Sequence, residues 1–264
     1  MPENIPLKYP IVLAHGIIAH DRKSRIKFWG RIPEILASRG VLVFLGNTDA
    51  WGDCESNALI LKKTIEKILL ETQKEKVNII AHSKGGIDSR YLIWKHDFGD
   101  KIASLTTICT PHHGSEIADL IDKPKVVHTK LSKKALKIFG KLYGDTNPDL
   151  PNVNSQLTTI KMKEFNEKIL MDDRVYCQSL YTTMDNAFDD IMFFYTYLYF
   201  KMIGRGNNDG LVSEYSAKWG KNVTQIKGGI SHAEILDYKQ RKISGVNIPD
   251  IYVEIVKGLS QKGF

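Results

Sequence analysis

Val77-Asn78-Ile79-Ile80-Ala81-His82-Ser83-Lys84-Gly85-Gly86 joins a short apolar, β-branched run to a turn of small residues, and residues 87–94 beyond it have helical character. The order strand, sharp turn, helix projects a side chain above the edge of a sheet, and small residues two before and two after it let the turn close. Ser83 is therefore the candidate nucleophile, with Ala81 and Gly85 as the flanking small residues. Ala81 stands where such turns often carry glycine, and its single methyl is tolerated as long as the backbone there is not at positive φ. The competing reading, a serine that merely caps a helix, is weakened by the strand in front of it.

Working outward, short apolar runs at residues 11–13, 41–45 and 105–108 have the same buried-strand character, and 175–181 and 223–226 resume it. Helical spacing lies between them. Over residues 57–72, Leu61, Ile65, Ile68 and Leu69 share one face, with Lys62, Lys63, Glu66 and Lys67 opposite. Residues 251–259 read as a terminal helix packed back on the sheet. Alternating strand and helix predicts an α/β protein with a mainly parallel sheet, helices on both faces and right-handed crossovers. The 264 residues, 42% hydrophobic and 25% charged, suit one large domain spanning 1–264. Regularity breaks in a Lys-, Asn- and Pro-rich stretch, so a helical lid or cap inserted at about 116–173 is expected, with amphipathic segments at 132–142 and 155–169.

A serine hydroxyl is a poor nucleophile at neutral pH and needs a base near pKa 7 whose tautomer a buried carboxylate fixes. In a fold of this kind the acid and then the histidine follow the serine. Of the eight histidines, His232 lies in the loop Gly228-Gly229-Ile230-Ser231-His232-Ala233-Glu234 after the last strand, and it is the candidate base. Asp209, in the tight turn Asn207-Asn208-Asp209-Gly210, is the candidate acid, against the alternative of an Asx-turn residue that bonds only its own backbone. Asp185, Asp189 and Asp190 read as structural. The backbone amide of Lys84 and that of Ile17, in the loop His15-Gly16-Ile17 after the first strand, would form the oxyanion hole, with His15 holding that loop.

The net charge of +7 favours anionic surfaces such as lipid headgroups. Nucleic acid is another such surface by charge but is not expected as a partner, and the absence of long unbroken blocks of like charge favours the competing reading of a soluble, self-repelling surface. Cys54, Cys109 and Cys177 have no CxxC spacing, so buried free thiols are expected rather than a zinc site or a full disulfide set. Residues 191–201 are too short and too interrupted to span a bilayer and read as a buried or lipid-facing segment, with Phe193, Phe194, Tyr195, Tyr197, Tyr199 and Phe200 as candidates to line an acyl pocket. No Sec-type leader is recognisable, which fits a cytoplasmic protein or export by another route.

Four blocks carry a family resemblance: Tyr9-Pro10-Ile11-Val12-Leu13-Ala14-His15-Gly16, Ala81-His82-Ser83-Lys84-Gly85-Gly86 with Arg90-Tyr91, Thr110-Pro111-His112-His113-Gly114-Ser115 with Ala118-Asp119, and Asn208-Asp209-Gly210-Leu211-Val212. In this order they resemble the bacterial true lipases of the Pseudomonas and Proteus type, and more loosely the Bacillus-type thermophilic lipases. The resemblance implies an α/β-hydrolase fold, a helical lid and a serine carboxylic-ester hydrolase acting through an acyl-enzyme on acylglycerols or related esters. It further implies a structural calcium held by Glu234, Asp189 and Asp237, although Tyr238 and Lys239, which follow, are poor calcium ligands. The family's disulfide has no counterpart among the three cysteines. A thioesterase or acyltransferase would use the same residues, and a non-catalytic lipid-binding protein on the same scaffold is a reading of another class.

Overall fold

The computed structural model describes residues 2–17, 27–122, 145–146 and 148–264. Six strands form one sheet: β1 (Ile11–Ala14), β2 (Val43–Leu45), β3 (Val77–His82), β4 (Ile102–Ile108), β5 (Tyr176–Thr182) and β6 (Val223–Ile226). Their order is β2-β1-β3-β4-β5-β6, and every neighbouring pair is parallel. This is the architecture of an α/β hydrolase.

β1 reads as an uninterrupted, fully buried apolar run because both faces of the sheet are covered there, whereas the edge strand β6 is exposed at three of its four residues. Successive side chains point to opposite faces, and the packing follows that alternation. Ile11 and Leu13 of β1, with Ile80 and Ile108, meet α1 (Ile32–Ala37) and the terminal helix, here α9 (Ile248–Gln261), through Ile32, Leu36, Tyr252 and Val256. Val12 and Ala14, with Ile79, Ala81 and Leu105, meet α2 (Cys54–Thr72) and α3 (Lys84–Lys95) through Leu61, Ile65 and Leu92. The helix expected over 57–72 starts three residues earlier because Asp53 caps it, accepting from the Ser56 amide at 2.7 Å.

Within residues 116–173, where the insertion is expected, α4 (Glu116–Ile121), α5 (Leu150–Gln156) and α6 (Thr159–Lys168) touch one another. The amphipathic segment expected at 155–169 is two elements. Thr158 breaks it by capping α6, and Asp119 of α4 binds both the amide and the hydroxyl of Thr159 at 2.8 Å. The segment at 132–142 lies outside the described residues. Leu157 and Met162 join Ile87, Ala118 and Cys54 in a small core, with Ile17 at its margin. Two short helices follow β5: α7 (Phe194–Met202) and α8 (Glu214–Ala217). The thiols of Cys54, Cys109 and Cys177 are free and buried.

Candidate active site

The carboxyl end of β3 runs into Ser83, whose backbone takes φ 54° and ψ −130°, a region costly for a residue with a side chain. Close packing holds it there. A methyl group on Gly16 would stand 2.6 Å from Ser83 Cβ, one on Gly85 would stand 2.5 Å from the carbonyl oxygens of Ala14 and His15, and one on Gly86 would stand 2.3 Å from Thr110 Oγ1. The turn is therefore built from three glycines that admit neighbouring chain. Gly16 serves by this close approach, and its φ is not in the left-handed region that would make it a bending residue. Ala81 lies in the strand at ordinary φ, which is why its methyl is accommodated. The Ser83 amide donates to the Ile108 carbonyl, and the Ser83 carbonyl accepts from the Thr110 hydroxyl at 2.8 Å.

The imidazole of His232 arrives from the loop after β6. The Ser83 hydroxyl donates to His232 Nε2 at 2.9 Å, and Nδ1–H donates to Asp209 Oδ2 at 2.8 Å. The hydroxyl, base and carboxylate thus form one line, all three buried, with Asp209 1% exposed. Asp209 binds its own turn and the imidazole together, so it is not a residue that bonds only its own backbone. Oδ1 accepts from the amides of Leu211 and Val212 and closes the turn, leaving Oδ2 for the imidazole. The backbone repeats the link, the His232 amide donating to the Asp209 carbonyl at 2.8 Å.

His82, which precedes Ser83, donates from Nε2 to the His232 carbonyl at 2.9 Å, and its ring lies 4.7 Å from the His232 ring. Burial, reinforced by the neighbouring His232, depresses the His82 pKa well below the usual histidine range and keeps it neutral. Burial acts the same way on His112, beside Arg90. Lys84 continues the turn with a fully buried ammonium 2.5 Å from Asp88, whose other oxygen accepts from Asn57. Burial opposes that ammonium, yet the Asp88 carboxylate prevails and raises the lysine's pKa. His15 anchors its loop as expected, donating to the Gly16 carbonyl at 2.8 Å and meeting Thr48 on its other nitrogen. The Lys84–Asp88 pair is not among the residues expected at the site, although its i, i+4 spacing on a helix is a readable signal.

The three carboxylates expected to hold calcium do not converge. Asp189 accepts from the amides of Asp185 and Asn186 and from the Asn186 side chain. Asp237 is bound by Arg31 through its guanidinium and its backbone amide at 2.7–2.8 Å. Glu234 receives the Lys239 ammonium at 2.7 Å. Among the described residues, the one group of three such side chains close enough to share an ion is Cys109, Asp209 and His232. There the acid and base are committed to each other, and burial, followed by the Asp209 charge, holds the Cys109 thiol protonated by raising its pKa.

Comparison with known proteins finds lipases. A family profile described as "Lipase-like, C-terminal domain" matches residues 57–196. Triacylglycerol lipase 2 of Saccharomyces cerevisiae is 30% identical over 257 residues, covering 90% of this chain and 75% of the yeast protein. A triacylglycerol lipase of Pseudarthrobacter phenanthrenivorans is 31% identical over 171 residues, and the match spans 53% of its length, about half. Among solved structures, a Bacillus licheniformis lipase in its mature form superposes with a TM-score of 0.71 at 21% identity, covering 97% of this chain and 96% of that one. A Staphylococcus hyicus lipase does so with a TM-score of 0.75 at 16% identity, covering 98% and 97%. At that identity the two structures speak for the fold.

Proposed function

The chain belongs to the lipase family, as a carboxylic-ester hydrolase of the bacterial true-lipase kind, and from that premise we propose that it is a serine hydrolase with Ser83, His232 and Asp209 as its catalytic triad and that its substrates are acylglycerols or related lipid esters. The observation that carries the reading is the continuous line from Ser83 Oγ through His232 to Asp209, at 2.9 and 2.8 Å. Ser83 Oγ attacks the ester carbonyl carbon while its proton passes to His232 Nε2, and Asp209 steadies the imidazolium. The tetrahedral oxyanion is received by the amides of Ile17 and Lys84. Collapse breaks the bond to the alkoxy oxygen, which leaves as alcohol with the proton from Nε2. Water then attacks the acyl-enzyme, giving its proton to Nε2, and the carboxylic acid leaves as Ser83 is restored.

Contact with a lipid surface is supported by the segment beside the acid loop. Phe193 packs where Gly210 leaves room, while Phe188, Ile191, Met192, Tyr195 and Met202 are each more than 60% exposed. So many large apolar side chains turned outward mark an interaction face. No helix among the described residues is long and apolar enough to cross a membrane. The test is hydrolysis of emulsified long-chain triacylglycerol against a soluble short-chain p-nitrophenyl ester. Higher activity on the emulsion is expected, and equal or lower activity would leave an esterase without lipase preference.

A further inference from the structure

His232 is held by more than Asp209. Its neighbour Ser231 donates its hydroxyl to Asp190 Oδ2 at 2.7 Å and its amide to Glu234 Oε2 at 3.2 Å, and the Glu234 amide returns a bond to Ser231 Oγ at 3.2 Å. The reciprocal pair is the geometry of a capping box. Two carboxylates are consequently buried beside the loop, Asp190 and Glu234, their side chains 3% and 2% exposed. Buried anions need a cation or a full set of donors. The Lys239 ammonium supplies the cation, 2.7 Å from Glu234 Oε1 and 3.6 Å from Asp190 Oδ2. Lys239 is the residue that fits worst in a calcium site, since it offers no oxygen and carries the ion's own sign of charge. Asp189 and Asp237 are bound elsewhere.

We propose that the Lys239 ammonium is the built-in cation of the His232 loop: it bridges Glu234 and Asp190 and so positions His232 for the reaction, in the role that the family resemblance gives to calcium. Lys239 is a positioning residue, acting through Ser231 and Glu234 without touching the reacting atoms. The inference rests on the assignment of His232 as the base. Three consequences separate it from general structural support. The wild-type chain works in a chelator and gains nothing from calcium. Loss of the ammonium lowers kcat and leaves KM in place. An arginine, which keeps the charge, restores function that an apolar side chain of similar length does not.

The experiment compares wild type, Lys239→Met and Lys239→Arg on a soluble p-nitrophenyl ester, in EDTA and in millimolar calcium chloride, with thermal unfolding under both conditions. Wild type is expected to show the same kcat and the same unfolding temperature in both. Lys239→Met should lose about 10- to 100-fold in kcat, the scale on which supporting contacts act, with KM within about twofold of wild type, and Lys239→Arg should recover most of the loss. Should Lys239→Met fail to fold, Lys239→Met combined with Glu234→Gln removes both charges together and is expected to show the same kcat deficit. Wild-type kcat in the methionine variants, an arginine variant no better than methionine, or a wild-type chain inactivated by EDTA and restored by calcium would each overturn the proposal. A wild-type chain that hydrolyses no ester under either condition would instead sink the triad reading and this inference with it.

Discussion

The turn at Ser83 and the loop at His232 meet at two hydrogen bonds, from the Ser83 hydroxyl to His232 Nε2 and from His82 to the His232 carbonyl, yet they are held in opposite ways. Around Ser83 the constraint is steric, with Gly16, Gly85 and Gly86 each leaving room for a carbonyl oxygen or side chain within 2.6 Å of where a methyl would stand. Around His232 it is polar and comes from far along the chain: Asp209, His82, and Asp190 through Ser231. A nucleophile on a strained turn must not move, whereas a base that takes and returns a proton needs orientation and a fixed tautomer. The difference implies that added bulk disables the first region and lost charge or hydrogen bonds the second.

The largest effect expected on the polar side is from Asp209→Asn. The Oδ1 bonds to Leu211 and Val212 can persist in the amide, so the turn and the fold survive. The imidazole loses its carboxylate, and kcat should fall by about 10³- to 10⁴-fold. Near-normal kcat with normal unfolding would show that the bond to His232 is not what Asp209 contributes. On the steric side, Gly85→Ala sets a methyl against two backbone oxygens that cannot turn away. A loss of about 3 kcal/mol is expected, measured by urea unfolding. An unchanged midpoint would mean that the turn is looser than its packing implies.

His82 tests the joint between the two regions by pH. Its folded pKa is depressed by burial and then by the charge of His232, and that of His112 by burial and then by Arg90, while in the unfolded chain both titrate near 6.5. Above that value neither state is protonated and the two groups add no pH dependence. Below it the unfolded chain binds protons that the native state refuses, so stability falls as pH drops, by about 1.4 kcal/mol per pH unit for each site. His82→Gln, which can still donate to the His232 carbonyl, should make the decline between pH 6.5 and 5 shallower by one such increment. Parallel curves for variant and wild type would contradict it. The smallest effect is expected from Ser231→Ala, about tenfold in kcat, for the loss of one bond to a charged carboxylate.

The steric region was the legible one. Residues 77–86 announce strand and turn because glycines and a β-branched run are local signals, and the six strands followed from the same periodicity. Asp209 and His232 are singled out as candidates by order along the chain and by turn chemistry, and the structure brings them together. The clamps are not singled out. Nothing local ties Asp190 to Ser231, 41 positions apart, or Asp237 to Arg31, 206 apart, and so nothing in the sequence opposes the family resemblance when it groups Asp189, Glu234 and Asp237 as ligands. The break at Thr158 was missed because amphipathic spacing continues across it, while the cap and the Asp119 contact that separate the two helices are tertiary.

The central claim is that the hydroxyl at 83 is activated by the imidazole at 232. Its most direct test is the rate and site of modification by a fluorophosphonate, read by intact mass and peptide mapping, in wild type and in His232→Ala. A single phosphonyl adduct on Ser83 is expected, forming at least about a thousandfold more slowly without the imidazole. An adduct on another residue, or an equal rate in the two proteins, would contradict the account.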